Sequence, residues 1–142
     1  MNEGVAETLA RIDKIKTKPK RIEELAKFKD DFPIKVILDM VYNPNIEFLL
    51  PETDPPYKPN EKESDSQNVL KHDIRKLKYV VNTSEGNNLR QLKRELLFVE
   101  LLESIDPDDA KLLLHVKNKS LPYKGITKDV VSKAMPEITG KW

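Results

Sequence analysis

The 142-residue sequence has no cysteine, only two histidines, four glycines and one tryptophan, and no long apolar run. Each shortage removes a class of explanation. Without cysteine there are neither disulfides nor thiolate chemistry, and His72 and His115 alone are too few to suggest a zinc site. No segment approaches the roughly 20 consecutive apolar residues that cross a bilayer, so no membrane partner is expected. Met1–Ala10 is polar rather than a secretory leader, which points to a soluble protein of the cytoplasm. With so few glycines there is no glycine-rich phosphate loop; an H-E-x-x-H pattern and a serine placed with a histidine and an acidic partner are missing as well. The sequence therefore suggests no catalytic residue, no metal site and no cofactor, and it reads as that of a non-enzyme.

Charge is what the chain has in quantity: 25 Lys and Arg against 24 Asp and Glu, for a net charge of +1. That sum conceals sorting into blocks. Met1–Lys35 carries +2, Val36–Gln67 −5, Asn68–Arg94 +5, Glu95–Leu114 −5 and His115–Trp142 +4. A domain built from such blocks is expected to present a basic face and an acidic one.

The length suits one domain, residues 1–142, and the apolar pattern is helical throughout. Val5, Leu9, Ile12 and Ile15 predict a helix over Glu3–Ile15. Pro19 suits a first helical turn and opens a second helix reaching about Asp30, and a third runs from about Pro33 and stops before Pro44. Prolines 44, 51, 55, 56 and 59 then forbid regular helix, so Pro51–Gln67 reads as a mobile surface loop, with Ile46, Phe48, Leu49 and Leu50 tucking its start against the core. A fourth helix is expected over Gln67–Val81 and, after the polar turn NTSEGNN, a long and central fifth from Leu89 to Leu102. Asp106, Pro107 and Asp109 mark the start of a sixth, and Thr127 caps a seventh that buries Val130, Val131, Ala134 and Met135. The expected fold is an all-α compact bundle of about seven helices without strands. Adjacent acids, Asp30 with Asp31 and Asp108 with Asp109, fall at helix starts, where the macrodipole favours negative charge.

Three turns stand just before helix starts: KIKTKPKR (Lys14–Arg21), SEGNN (Ser84–Asn88) and YKGITK (Tyr123–Lys128). A helix start exposes unpaired N–H donors, and glycine lets a backbone approach a phosphate closely. Lys16, Lys18 and Lys20 in the first turn, Gly86, Asn87 and Asn88 in the second, and Lys124, Gly125, Thr127 and Lys128 in the third are the candidate contacts to a phosphate backbone. Ordinary capping is the competing account of each turn.

Four segments in this order, ARIDKIKTKPKRIEEL, DMVYNPNIEF, NTSEGNNLRQLKREL and DPDDAKLLLHVKNKSLPYKGITKDVVSKAMP, resemble the N-terminal DNA-binding domain of ATP-dependent DNA ligases. The likeness is closest to the all-helical form in T-even-type phage ligases and covers most of the chain outside Pro51–Gln67. It implies a stand-alone, phage-encoded module working in the host cytoplasm, with duplex DNA, nicked or intact, as its partner. The family holds the backbone and minor groove without reading sequence. By the same resemblance, Gly86 and Asn87 match a turn that offers backbone donors to phosphate, and Lys119, Lys124, Gly125 and Thr127 match a second clamp. A phage or host replication or repair protein is a further partner the resemblance implies. Two departures matter. The nucleophilic Lys-x-Asp-Gly motif of the ligase catalytic part is missing, so neither self-adenylylation nor strand joining is expected, and Pro122 and Tyr123 lengthen the turn before Gly125. The alternative is a protein-interaction module that kept the helical scaffold and lost DNA binding, a reading favoured by the near-zero net charge and the acidic loop.

Overall fold

The computed structural model describes residues 4–60, 66–140 and 142. Among them are nine α-helices and one 3-10 helix: α1 (Val5–Asp13), α2 (Lys18–Ala26), α3 (Phe32–Tyr42), α4 (Ser66–Asp73), the 3-10 helix (Ile74–Val80), α5 (Ser84–Asn87), α6 (Gln91–Ser104), α7 (Pro107–Val116), α8 (Lys128–Ala134) and α9 (Pro136–Thr139). Seven of the α-helices have seven residues or more, and no strand is present among the described residues. The nearest approach to a sheet is one antiparallel bridge between Phe48 and Val81. No described helix is long and apolar enough to cross a membrane.

One apolar core joins these elements. Leu9 and Ile12 of α1, Leu25 of α2, Ile37 and Leu38 of α3, and Leu112 and Leu113 of α7 are all buried in it. The helix α7 buries half of its residues and packs on α1, α3 and α6. That corrects the expectation of a central α6. Phe98, Leu101 and Leu102 of α6 are buried, but its first half stands out from the body, with Leu92 80% exposed.

The single helix expected over Gln67–Val81 is divided into α4 and the 3-10 helix. Ile74, Leu77 and Val80 explain the change: they recur every third residue, and all three are buried. A 3-10 helix has three residues per turn and puts such a triplet on one face, whereas an α-helix would rotate Val80 away from the core. In the turn NTSEGNN, Thr83 accepts the Gly86 N–H at 3.0 Å and starts the short helix α5. The helix α8 buries Val130, Val131 and Ala134, and Met135 follows it, also buried.

Residues 51–60 have no regular structure and lie mostly exposed, yet several bonds tie them down. The Lys117 ammonium, itself buried, donates to the Glu52 carbonyl at 2.7 Å and lies 3.5 Å from Asp54. Further along, the Lys58 N–H donates to Glu103 at 2.7 Å, and Asn60 donates to the Ser104 carbonyl. This stretch is therefore a strap across the ends of α6 and α7. The rest of the expected loop, up to residue 65, lies outside the described residues, and α4 begins at Ser66.

Candidate nucleic-acid interface

Two of the three turns come together, and both are basic. α2 packs against α8, and Lys18 at the start of α2 pairs with Asp129 in the first turn of α8. Around this contact Lys14, Lys16, Lys20, Lys124 and Lys128 are exposed. Lys128 lies 5.5 Å from the centre of the Trp142 ring, a cation–π contact that steadies the side chain, and the Trp142 indole donates to Asp39 at 2.6 Å. Lys133, one turn further along α8, shares Asp129 at 3.2 Å, and the two lysines hold that carboxyl below its ordinary range.

Gly125 is at the centre of this region, but its N–H faces inward. It donates to Asp13 at 2.6 Å, and a Cβ added here would meet that carboxylate oxygen at 2.7 Å and the Arg21 side chain at 3.1 Å. The glycine thus lets the turn dock closely on the end of α1, and its amide is not offered to a phosphate. Arg21 makes its own internal tie, donating to the Ile15 carbonyl at 2.6 Å. The acidic residue within KIKTKPKR and its lead-in ARID was the sequence signal for this arrangement. A lone Asp13 amid six basic residues (Arg11 to Arg21) marks a carboxylate with a structural donor to satisfy. Thr127 caps α8 by accepting the Val130 N–H at 3.2 Å.

The third turn lies in another neighbourhood: α5 packs on the 3-10 helix rather than on α2 or α8. The amides of Gly86, Asn87 and Asn88 are occupied. Besides the Gly86 bond to Thr83, the Asn87 N–H donates to the Thr83 carbonyl at 2.8 Å and the Asn88 N–H to the Ser84 carbonyl at 3.2 Å. The Gly86 carbonyl accepts from Arg94 at 2.9 Å. Gly86 is buried, and only glycine fits there, since an added Cβ would stand 1.8 Å from the Val81 carbonyl oxygen. The expectation that Gly86 and Asn87 present unpaired backbone donors is corrected accordingly, whereas the Asn87 and Asn88 side chains are exposed.

Lys119 is also differently placed than expected. Its ammonium donates to the carbonyls of Asn43 at 2.7 Å and Ile46 at 2.8 Å, joining the end of α7 to the end of α3. Burial lowers its pKa. Its backbone has φ 60, the left-handed conformation, and the amides of Lys119 and Ser120 donate to the carbonyls of Val116 and His115. That pattern is a Schellman termination with lysine where glycine is usual. The candidate residues thus divide into exposed lysines on the α2–α8 face and structural groups, Gly86, Lys119 and Gly125, whose polar atoms are bonded within the chain.

Residues 8–123, most of the chain, match a family of unknown function, DUF6433. The chain belongs to the DUF6433 family. No curated protein and no solved structure matches it. The matched region of this DUF6433 chain contains the lysine-rich turn of α2, the Gly86 turn, the strap and α7; it stops just before Lys124 and α8.

Proposed function

We propose that this DUF6433 protein is a non-catalytic DNA-binding module that holds the backbone of duplex DNA, nicked or intact, through the face formed by α2 and α8. The observation that carries the reading is the packing of these two helices, which sets Lys16, Lys18 and Lys20 beside Lys124 and Lys128. Lysine ammonium groups on one exposed face suit phosphates, which bear charge at every nucleotide and give no base-specific readout. Likeness to the ligase DNA-binding domain supports the same partner and adds the minor groove. Contact is made by side chains, since the Gly86, Asn87, Asn88 and Gly125 amides are bonded internally.

Titration with nicked and intact duplexes at low and physiological salt tests the proposal. The parent should bind both with an affinity that falls as salt rises, because bound lysines release counterions. Lys124→Glu with Lys128→Glu should weaken binding on every sequence and flatten the slope of log affinity against log salt by about 0.9 for each phosphate no longer neutralised. A folded double variant with the parent's affinity and slope would exclude the α2–α8 face.

A further inference from the structure

Among the described residues, α6 leaves an apolar stripe uncovered. Leu92 is 80% and Leu96 48% exposed, and with the half-buried Val99 they recur four and three residues apart along one side of the helix, with the half-buried Leu89 in the turn just before it. Leu89, Leu92 and Leu96 line a shallow groove with Asn88, Arg90 and Lys93. The opposite side of α6 is accounted for by Phe98, Leu101 and Leu102, which are buried in the core. The stripe is a second, outward seam with the spacing of a coiled-coil contact.

Charge around the seam is divided by position. Arg90 and Lys93 flank its beginning and Glu100 flanks its end, all three exposed, while Glu103 beyond it holds the strap. A partner helix lying antiparallel and carrying the same polarity would meet opposite charge at both ends. A second copy of α6 has that polarity.

We infer that the outer face of α6 is a self-association surface on which two copies of the chain pair antiparallel about a two-fold axis near Leu96. About such an axis Leu92 of one copy lies toward Val99 of the other. Lys93 lies opposite Glu100 of the second copy, and the two-fold repeats the pair. A symmetric interface of this kind uses one patch twice. In a parallel pair the two-fold would put Lys93 and Glu100 of the two copies on opposite sides of the seam, so only the antiparallel direction brings Lys93 to Glu100. An interface of one helix pair is small, so the dimer is expected to be in concentration-dependent exchange with monomer. The elements packed on α6 are α4, the 3-10 helix and α7, so the surface is distinct from the proposed DNA-binding face.

Sedimentation equilibrium of the full chain from micromolar to millimolar concentration tests the inference. The parent should move from 16.4 kDa toward twice that mass. Leu92→Lys should remain monomeric at every concentration while keeping the parent's circular dichroism and melting temperature, as its side chain is exposed. Lys93→Glu and Glu100→Lys should each remain monomeric alone, yet an equimolar mixture should dimerise, because both facing pairs then have opposite charge. A parent monomeric throughout, a Leu92→Lys protein that still dimerises, or two single variants that fail to associate when mixed would each overturn the inference. Binding of the parent only to an unrelated acidic helix, with no self-association, would overturn it too.

Discussion

At the residue scale the informative side chains are polar groups held inside. Asp109 is buried, and its Oδ1 accepts the Ala6 N–H at 2.8 Å, so a carboxylate from the start of α7 caps the start of α1. Its other oxygen has no hydrogen-bond partner among the described residues. Burial chiefly, with the charges of Asp106 and Asp108 added, pushes its pKa up to about 6 against an ordinary 3.8, while the Ala6 bond and Lys71 act in the opposite direction. The folded state therefore binds this proton more tightly than the unfolded chain. The Asp109 contribution to stability should rise as pH falls from about 6 toward about 4, and be flat above neutrality, by up to about 3 kcal/mol. Denaturant melts of the parent and Asp109→Asn across this range check it: the variant should lack that component. The two acids at Asp108 and Asp109 were legible as helix-start residues, but not that Asp109 would serve another helix, since that partner lies 103 residues away. Lys119 offers a second check. Its left-handed backbone costs about 1–2 kcal/mol for a non-glycine residue, and its two bonds to carbonyls offset that cost. Lys119→Ala keeps the strain and removes the bonds, whereas Lys119→Gly removes both. Lys119→Ala should melt below the parent, with the glycine variant about 1 kcal/mol the more stable of the two.

Among the elements, most helix positions were readable because a 3.6-residue apolar period and Asp31, Asp106 and Thr127 as caps agreed with one another. The elements that differed did so where sequence periodicity had a second solution. Ile74, Leu77 and Val80 satisfy a three-residue period as well as a loose α pattern, and tertiary burial selects the former. The leucines of α6 divide between two faces, and counting them as one broad face made that helix look central. The lysine-rich turns were legible as exposed basic chain, but which amides were already bonded depended on Asp13 and Thr83 meeting them in the fold. The strap was legible as non-helical from its prolines, while its anchoring rests on Lys117, one lysine among many in the sequence. Lys117→Met should release it: limited proteolysis within residues 52–60 should quicken relative to the parent, with helix content retained. At α5, Gly86→Ala should cost about 3 kcal/mol or more, because the new methyl group meets the Val81 carbonyl rather than a movable side chain. Thermal melts give that loss directly.

For the whole molecule, stability is expected to be unevenly spread. Hydrogen exchange followed by mass spectrometry should find the slowest amides in α3 and α7, whose apolar faces are buried, and faster ones in the first half of α6 and in the short helix α9, which has no buried residue. The basic face of α2 and α8 and the outer face of α6 are then carried by one core without sharing a helix. A dimer through α6 would carry two basic faces, so its affinity for long duplexes would exceed that of the Leu92→Lys monomer wherever both faces reach the same DNA. The clamp on α1 also bears on the order in which the chain is completed. The Ala6 N–H is held by Asp109, and its carbonyl accepts from the Tyr123 hydroxyl at 3.2 Å. A ribosome emits α1 first, yet both groups that fasten its opening turn are more than 100 residues downstream. At about 5–20 residues per second, α1 waits several seconds or more for the chain that secures it.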